Sequence, residues 1–280
     1  MAGFRFHLVN VFADSALAGN PLCVFEDARG LDDATMQALA LQFNLSETTF
    51  VLPSALATAR VRIFTPTFEM PFAGHPTLGT AHVVRQVAGA GNAVSLEMIA
   101  GVIPVSADGD EWTLSANAPQ SRSVDIQRAD LAAILRLAPD DIGDPPLWID
   151  TGSEQLIVPL TSVDAVRRVD PDAGTIQRWP KSRIGRTMFY VWAHAGDGAI
   201  ESRFFFTKHS SVIEDPGTGS ACANLGGWML ATGQPLPLRV RIDQGRAVGR
   251  PCRLGLTVTS ERTIHVSGRV VVLGSGTITL

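Results

Sequence analysis

Two stretches decide how this chain folds. Ile63-Phe64-Thr65 runs on to Phe72-Ala73-Gly74-His75-Pro76-Thr77-Leu78-Gly79, and 142 residues later Phe205-Phe206-Thr207 runs on to Glu214-Asp215-Pro216-Gly217-Thr218-Gly219-Ser220-Ala221. Each copy reads as a strand, a short loop, a Gly/Pro-rich turn and then a helix of small apolar residues, Thr80–Val87 in one and Ala221–Leu230 in the other. The offset is about half of the 280 residues, and self-similarity at a fixed offset points to a duplicated lobe.

Outward from these copies the signal is mostly strand. Phe4–Phe12 alternates as an opening strand, and Ala18-Gly19-Asn20-Pro21 is a turn followed by apolar Leu22–Phe25. Leu31-Asp32-Asp33 starts a helix with Met36, Leu39, Ala40 and Phe43 at helical spacing, ended by Asn44. Strands are expected at 48–52, 60–65, 94–99, 102–105 and 112–116, and a helix at Asp130–Leu137 ahead of the breaker Asp144-Pro145-Pro146. Strands follow at 156–160, 188–193, 202–206, 254–258, 263–266 and 270–280. The class is α+β with two lobes, 1–117 and 118–280, the last strand (268–280) being free to cross back to the first.

Composition narrows the function. The 45% hydrophobic and 18% charged residues are those of a globular chain, and a net charge of −4 gives a polyanion such as nucleic acid nothing to bind. Cys23, Cys222 and Cys252 are too few and too scattered for a disulfide framework or zinc cluster, and an odd count suits a reducing compartment. No run approaches the roughly 18 apolar residues of a membrane helix, and the start lacks an apolar core of signal-peptide length. The expectation is a soluble cytoplasmic protein.

A Gly-rich turn that opens a helix offers free backbone N–H groups and the positive end of the helix dipole, which suits a carboxylate. One such turn is only a helix start, whereas two at matched positions suggest a site for a small anion. Glu47, in Asn44-Leu45-Ser46-Glu47-Thr48 between a helix and a strand, can serve as a general base if packing raises its pKa from roughly 4.3 towards neutrality. His75 and Asp215 lie at the two turns and Ser220 opens the second helix, where each can polarise or hydrogen-bond a ligand. Taken singly, each has an ordinary explanation as a cap or a first-turn residue.

Together these segments resemble the phenazine-biosynthesis PhzF-like family. Its signature stretches correspond to Asn44–Thr48, to Phe64-Thr65-Pro66 with Glu69 and Gly74–Gly79, and to Glu214–Ala221, with Gly19-Asn20-Pro21 and Gln244-Gly245-Arg246 as further matches in order. The resemblance implies the diaminopimelate epimerase-like architecture: two pseudo-symmetric lobes, each a curved sheet or barrel around a central helix, with the site between them. It implies Glu47 as the proton-shuttling acid/base. It also implies His75, Asp215, Ser220, the Gly74 amide, Gly219 and Asn20 as substrate-binding groups. Assigned members isomerise trans-2,3-dihydro-3-hydroxyanthranilate without metal, flavin or pyridoxal phosphate, typically as homodimers. The related epimerases use two cysteines, and the corresponding places here hold Ala73 and Asp215, so a one-base proton shift is expected. The stretch Phe206-Thr207-Lys208-His209-Ser210-Ser211-Val212-Ile213 departs from the Pro- and Gly-containing loop of many relatives, which bears on the substrate.

Other classes fit less well. Gly217-Thr218-Gly219-Ser220-Ala221 lacks the glycine two residues after serine of a hydrolase elbow, and Cys222 stands where a dinucleotide fingerprint needs its third glycine. The six histidines form no ligand cluster in sequence, so no metal is expected. The alternative is a protein that binds a small carboxylate, or regulates, without turnover on the same fold.

Overall fold

The computed structural model describes residues 2–208 and 211–280. The chain divides into two compact units, Met1–Ser115 with Ser267–Leu280, and Ala116–Val266. In chain order the first unit contains β1 (Gly3–Val11), β2 (Asn20–Phe25), α1 (Asp33–Phe43), β3 (Glu47–Leu52), β4 (Ala59–Phe64), β5 (Glu69–Met70), α2 (Gly74–Ala88), β6 (Ala93–Met98), β7 (Gly101–Asp108) and β8 (Glu111–Ser115). The second contains β9 (Gln120–Ser123), α3 (Arg128–Leu135), β10 (Leu147–Asp150), β11 (Glu154–Pro159), α4 (Val163–Arg168), β12 (Met188–Gly196), β13 (Ala199–Lys208), β14 (Ser211–Asp215), α5 (Gly219–Ala231), β15 (Leu238–Gln244) and β16 (Cys252–Val258). The last strand, β17 (Ile264–Thr279), begins in the second unit and ends in the first.

In the first unit the pairings β1–β2, β2–β3, β3–β4, β4–β6, β6–β7, β7–β8, β8–β17 and β17–β1 close a ring of eight strands. Closure removes the sheet edges, and α2 fills the interior. From His75 to Val84 every residue of α2 is buried, and the helix packs on β1, β2, β3, β6 and β8. A helix apolar all round belongs inside a core. Its fit demands small residues: a Cβ on Gly79 would come within 2.6 Å of Leu22 Cδ2. Outside the ring, α1 caps the other face of β2, β3 and β4. Asp32 accepts a hydrogen bond from the Thr35 amide at its start, and Asn44 ends it in the left-handed conformation (φ 50°). Met36, Leu39 and Ala40 pack there on Phe25, Phe50 and Phe64, with the Phe25 and Phe50 rings stacked at 5.0 Å.

The second unit repeats the plan. Parallel pairs β2–β3 and β4–β6 in the first unit have counterparts in β11–β12 and β13–β15, each spanned by a helical crossover. Helix α5 is buried from Ala221 to Leu230 and packs on β9, β10, β11 and β16. On the other face, Leu131, Ile134 and Leu135 of α3 and Val166 of α4 pack on Trp148, Leu156, Phe189 and Phe205. No helix among the described residues is long and apolar enough to cross a membrane.

Three expectations change. Helices α2 and α5 begin at Gly74 and Gly219, ahead of the expected Thr80 and Ala221. Pro76 does not break α2, because it sits in the first turn, where its missing N–H has no partner to lose. Strands expected at 263–266 and 270–280 form the single β17, since the intervening residues stay extended. The stretch 206–213 is a strand pair rather than a loop, with Thr207 opposite Val212 and Lys208 opposite Ser211; His209 and Ser210 lie outside the described residues.

The turn after β15 holds the segment that leads into α5. Gly245 has φ 79°, and a Cβ there would lie 2.3 Å from both the Pro216 and Arg250 carbonyl oxygens. Gly245→Ala should therefore cost about 2–4 kcal/mol, combining left-handed strain with a clash against fixed backbone. Calorimetric unfolding of the variant measures that loss, and an unchanged Tm would contradict it.

Candidate active site

In the first unit the paired strands and α2 bring three of the expected residues together. Glu47 is not in a loop: it opens β3, opposite Leu22 of the parallel strand β2. Alternation then turns Glu47 and Thr49 towards α2, where Thr49 Oγ1 and Thr80 Oγ1 are hydrogen-bonded at 2.8 Å. His75 is the second residue of α2. Its Nε2 lies 3.4 Å from Glu47 Oε2, and its Nδ1 lies 3.4 Å from Asn20 Nδ2. Such separations close to hydrogen bonds with a small movement on ligand binding. The side chains of Glu47 and His75 are only 15% and 7% exposed.

Burial pushes the His75 pKa down to about 3, with the Pro21 backbone acting weakly in the other direction. The ring is therefore neutral at pH 7, and its contact with Glu47 is not an ion pair. A neutral imidazole beside a shielded carboxyl can give or take a hydrogen bond without adding charge.

The N-terminus of α2 is open. Its cap residue, Ala73, has no side-chain group to bond the first turn, Thr77 N–H returns to the Ala73 carbonyl, and Pro76 has no N–H. The amides of Gly74 and His75 are the first-turn donors that remain.

In the second unit, Asp215 ends β14, and Gly219 and Ser220 are the first two residues of α5. The Thr218 hydroxyl donates to Asp215 Oδ2. Gln244 ties the segment down: its Nε2 donates to the Asp215 carbonyl (2.9 Å) and to Thr218 Oγ1 (3.1 Å), while its Oε1 accepts from the Thr218 amide (3.3 Å). Ser220 is not the helix cap. Its Oγ accepts a hydrogen bond from Gln155 Nε2 at 2.9 Å. The sequence reading missed Gln155 and Asn224, and it gave Gln244 no task. Polar residues isolated within an apolar strand and an apolar helix were the available signal.

The two copies share an ion pair and a ring contact. Arg62 bonds Glu69 through two nitrogens and lies over the Phe64 ring; Arg203 does the same with Glu214 and Phe205. Phe64 is therefore the counterpart of Phe205, one residue off the sequence offset. The helices match Gly74 with Gly219 and His75 with Ser220, because the second strand pair is longer. Thr48 lies opposite Phe64 and Phe189 opposite Phe205, so the counterpart of Glu47 is Met188. The second half has an apolar side chain where the first has its carboxylate.

Among the described residues no three His, Cys, Asp or Glu side chains gather in a way that could hold a metal ion. All three cysteines are buried, and burial pushes each thiol well above its ordinary pKa.

Residues 9–279 match the family described as phenazine biosynthesis-like protein, PhzC-PhzF. The chain belongs to this family. It is 40% identical to an uncharacterized isomerase of Pasteurella multocida, over 98% of this chain and 93% of that one. It is 34% identical to the trans-2,3-dihydro-3-hydroxyanthranilate isomerase of Pseudomonas aeruginosa, over 89% and 88% of the two chains. The fold matches the Bacillus anthracis phenazine biosynthesis protein of the PhzF family with a TM-score of 0.86, at 24% identity and full coverage of both chains. It also matches a hydroxyproline epimerase of Agrobacterium vitis with a TM-score of 0.64, at 13% identity over 99% of this chain and 93% of the other. The architecture is thus the epimerase-like one, and the enzyme class is isomerase.

The buried ring of His75 makes stability depend on pH. Unfolded, the ring takes a proton near pH 6.5; folded, only near 3. Between those values the unfolded state holds more protons, so stability falls as pH drops from 6.5 towards 3, by up to about 1.4 kcal/mol per pH unit. Urea unfolding at pH 7, 5.5 and 4.5 should show this slope in the wild type and a smaller one in His75→Asn, where His82, its pKa also lowered by burial, still contributes.

Proposed function

We propose that this chain is a cofactor-independent isomerase that moves a proton on a small cyclic or unsaturated carboxylate resembling trans-2,3-dihydro-3-hydroxyanthranilate, with Glu47 as both acid and base. The observation that carries the reading is the shielded Glu47 carboxyl 3.4 Å from a His75 ring that burial keeps uncharged. In this reading Glu47 takes a proton from an activated carbon. The C–H electron pair enters the conjugated system, and the same carboxyl returns the proton to another carbon. The step is balanced without an oxidant, reductant or second base. His75 steadies developing charge by a hydrogen bond, which a neutral ring can do without quenching the base.

The substrate-binding groups are His75, Asn20 and the Gly74 amide in the first unit, and Asp215, Ser220 and the Gly219 amide in the second. The open first turns of α2 and α5 favour an anion. Met188 in the counterpart place of Glu47 supports a one-base shift over two-base epimerisation. So does the burial of every thiol, since a thiol held in its neutral form is a poor base. The same reading has the enzyme acting in the cytoplasm as a homodimer, with no nucleic acid or membrane partner.

The test is incubation of trans-2,3-dihydro-3-hydroxyanthranilate with the enzyme in deuterated buffer, following ultraviolet absorbance and deuterium uptake. Wild type should turn it over, and Glu47→Gln should lose at least about a hundredfold in kcat, the scale of acid–base catalysis, with folding nearly intact. Near-normal activity of Glu47→Gln would sink the assignment of the base. Absence of both turnover and exchange in the wild type would favour a protein that binds carboxylates without reaction. Cys222→Ala, in contrast, should keep kcat near the wild-type value; a collapse in kcat with an unchanged Tm would reinstate a thiol mechanism.

A further inference from the structure

Behind Ser220 lies a chain of buried amides whose direction is fixed at its far end. Asn224, in α5 and fully buried, accepts at Oδ1 from the Thr151 backbone N–H (2.9 Å) and the Thr151 hydroxyl (2.7 Å). Its Nδ2 donates to the Ser153 carbonyl (2.8 Å) and to Gln155 Oε1 (2.8 Å). A backbone N–H cannot accept and a backbone carbonyl cannot donate, so Asn224 cannot be flipped, and all four of its hydrogen-bonding capacities are used. Gln155, 2% exposed, is then oriented too: its Oε1 must face Asn224, which leaves its Nε2 to donate to Ser220 Oγ at 2.9 Å. Ser220 is half-buried, and among the described residues its hydroxyl has no other hydrogen-bond partner.

We infer that Asn224 and Gln155 are positioning residues that bias the Ser220 hydroxyl towards donating, so that it favours an acceptor oxygen, such as that of a carboxylate, on the ligand. The inference rests on the reading of Ser220 as a substrate-binding group and extends it to residues that touch no substrate. Ordinarily a serine hydroxyl can serve as donor or acceptor and settles on either as the partner requires. Here one of the oxygen's two lone pairs is already met by an N–H, which turns the proton away from Gln155 before any ligand arrives. This directional setting costs the ligand no reorganisation. The counterpart position in the first half is His75, so the second half supplies at this point a donor whose sense is fixed by the backbone.

Gln155→Glu keeps the shape but reverses the last link, because a carboxylate accepts from Ser220 instead of donating to it. The probes are anthranilate and its neutral methyl ester, whose carboxyl end presents acceptors only, titrated by calorimetry against wild type, Gln155→Glu, Ser220→Ala and the double variant. Both probes should bind roughly tenfold more weakly to Gln155→Glu, the scale of one hydrogen bond, and in the Ser220→Ala background the change should leave methyl anthranilate affinity untouched. A loss confined to anthranilate would mean charge repulsion alone, and a loss of ester binding that persists without the Ser220 hydroxyl would mean a structural effect; either overturns the inference. A ligand-free measurement stands beside it: in nitrogen–proton spectra the Gln155 side-chain amide signals should shift in Ser220→Ala while those of Asn224 stay in place. Unmoved Gln155 signals would also overturn it. If wild type binds neither probe, the carboxylate reading of the site falls, and the spectra alone decide the amide chain.

Discussion

The burial of ten consecutive residues of a helix inside a ring of strands is the constraint on which the rest depends. A helix satisfies its own backbone along its length but leaves donors open in its first turn. When the remainder is enclosed, as α2 is from His75 to Val84, polarity is tolerated only where it is paired or serves a ligand. Beyond His75 the enclosed stretch accordingly carries small and apolar residues together with Thr77, Thr80 and His82, which find partners at Ala73, Thr49 and Trp112. The open turn is what the enclosure leaves for chemistry, and Glu47 and Asn20 reach it because β3 and β2 begin there.

The two halves share this construction and differ in what they place on it. Clamps of arginine, glutamate and phenylalanine hold equivalent strands in both. On that common frame the first half carries Glu47 and a neutral His75, whereas the second carries Met188 and Ser220. With Glu47 as the proposed acid and base, that chemistry falls to one copy, and the other offers a hydroxyl backed by Gln155 and Asn224. A duplicated fold has thus been divided by function without losing its shared packing.

Much of this was legible in the sequence. The repeat predicted two similar halves, and Asp32, Asn44 and the spacing of Met36, Leu39 and Ala40 marked α1 closely. The starts of α2 and α5 were hidden because Gly-His-Pro and Gly-Ser read as turns, although proline in a first helical turn breaks nothing. β15 was missed because its arginines mask an alternation of Leu238, Val240 and Ile242. Of the candidate residues, the sequence marked Glu47, His75 and Asn20, but only tertiary pairing brings them within reach of one another. The support of Ser220 was illegible for a physical reason: Gln155 and Asn224 are 69 positions apart, and no local pattern reports a hydrogen bond between them.

The path of β17 has a consequence for how the chain acquires its structure. Gly3–Val11 is hydrogen-bonded to Val270–Thr279, so the eight-stranded ring of the first unit closes only with residues made after the second unit. During synthesis the first 115 residues emerge without the strand that completes their barrel, whereas the second unit has nearly all of its own strands in one continuous stretch. Contacts of such long sequence separation are slow to form, and unpaired strand edges invite association while they wait. Order therefore arrives out of sequence: the second unit has its strands together before the first, which waits for a strand made after it.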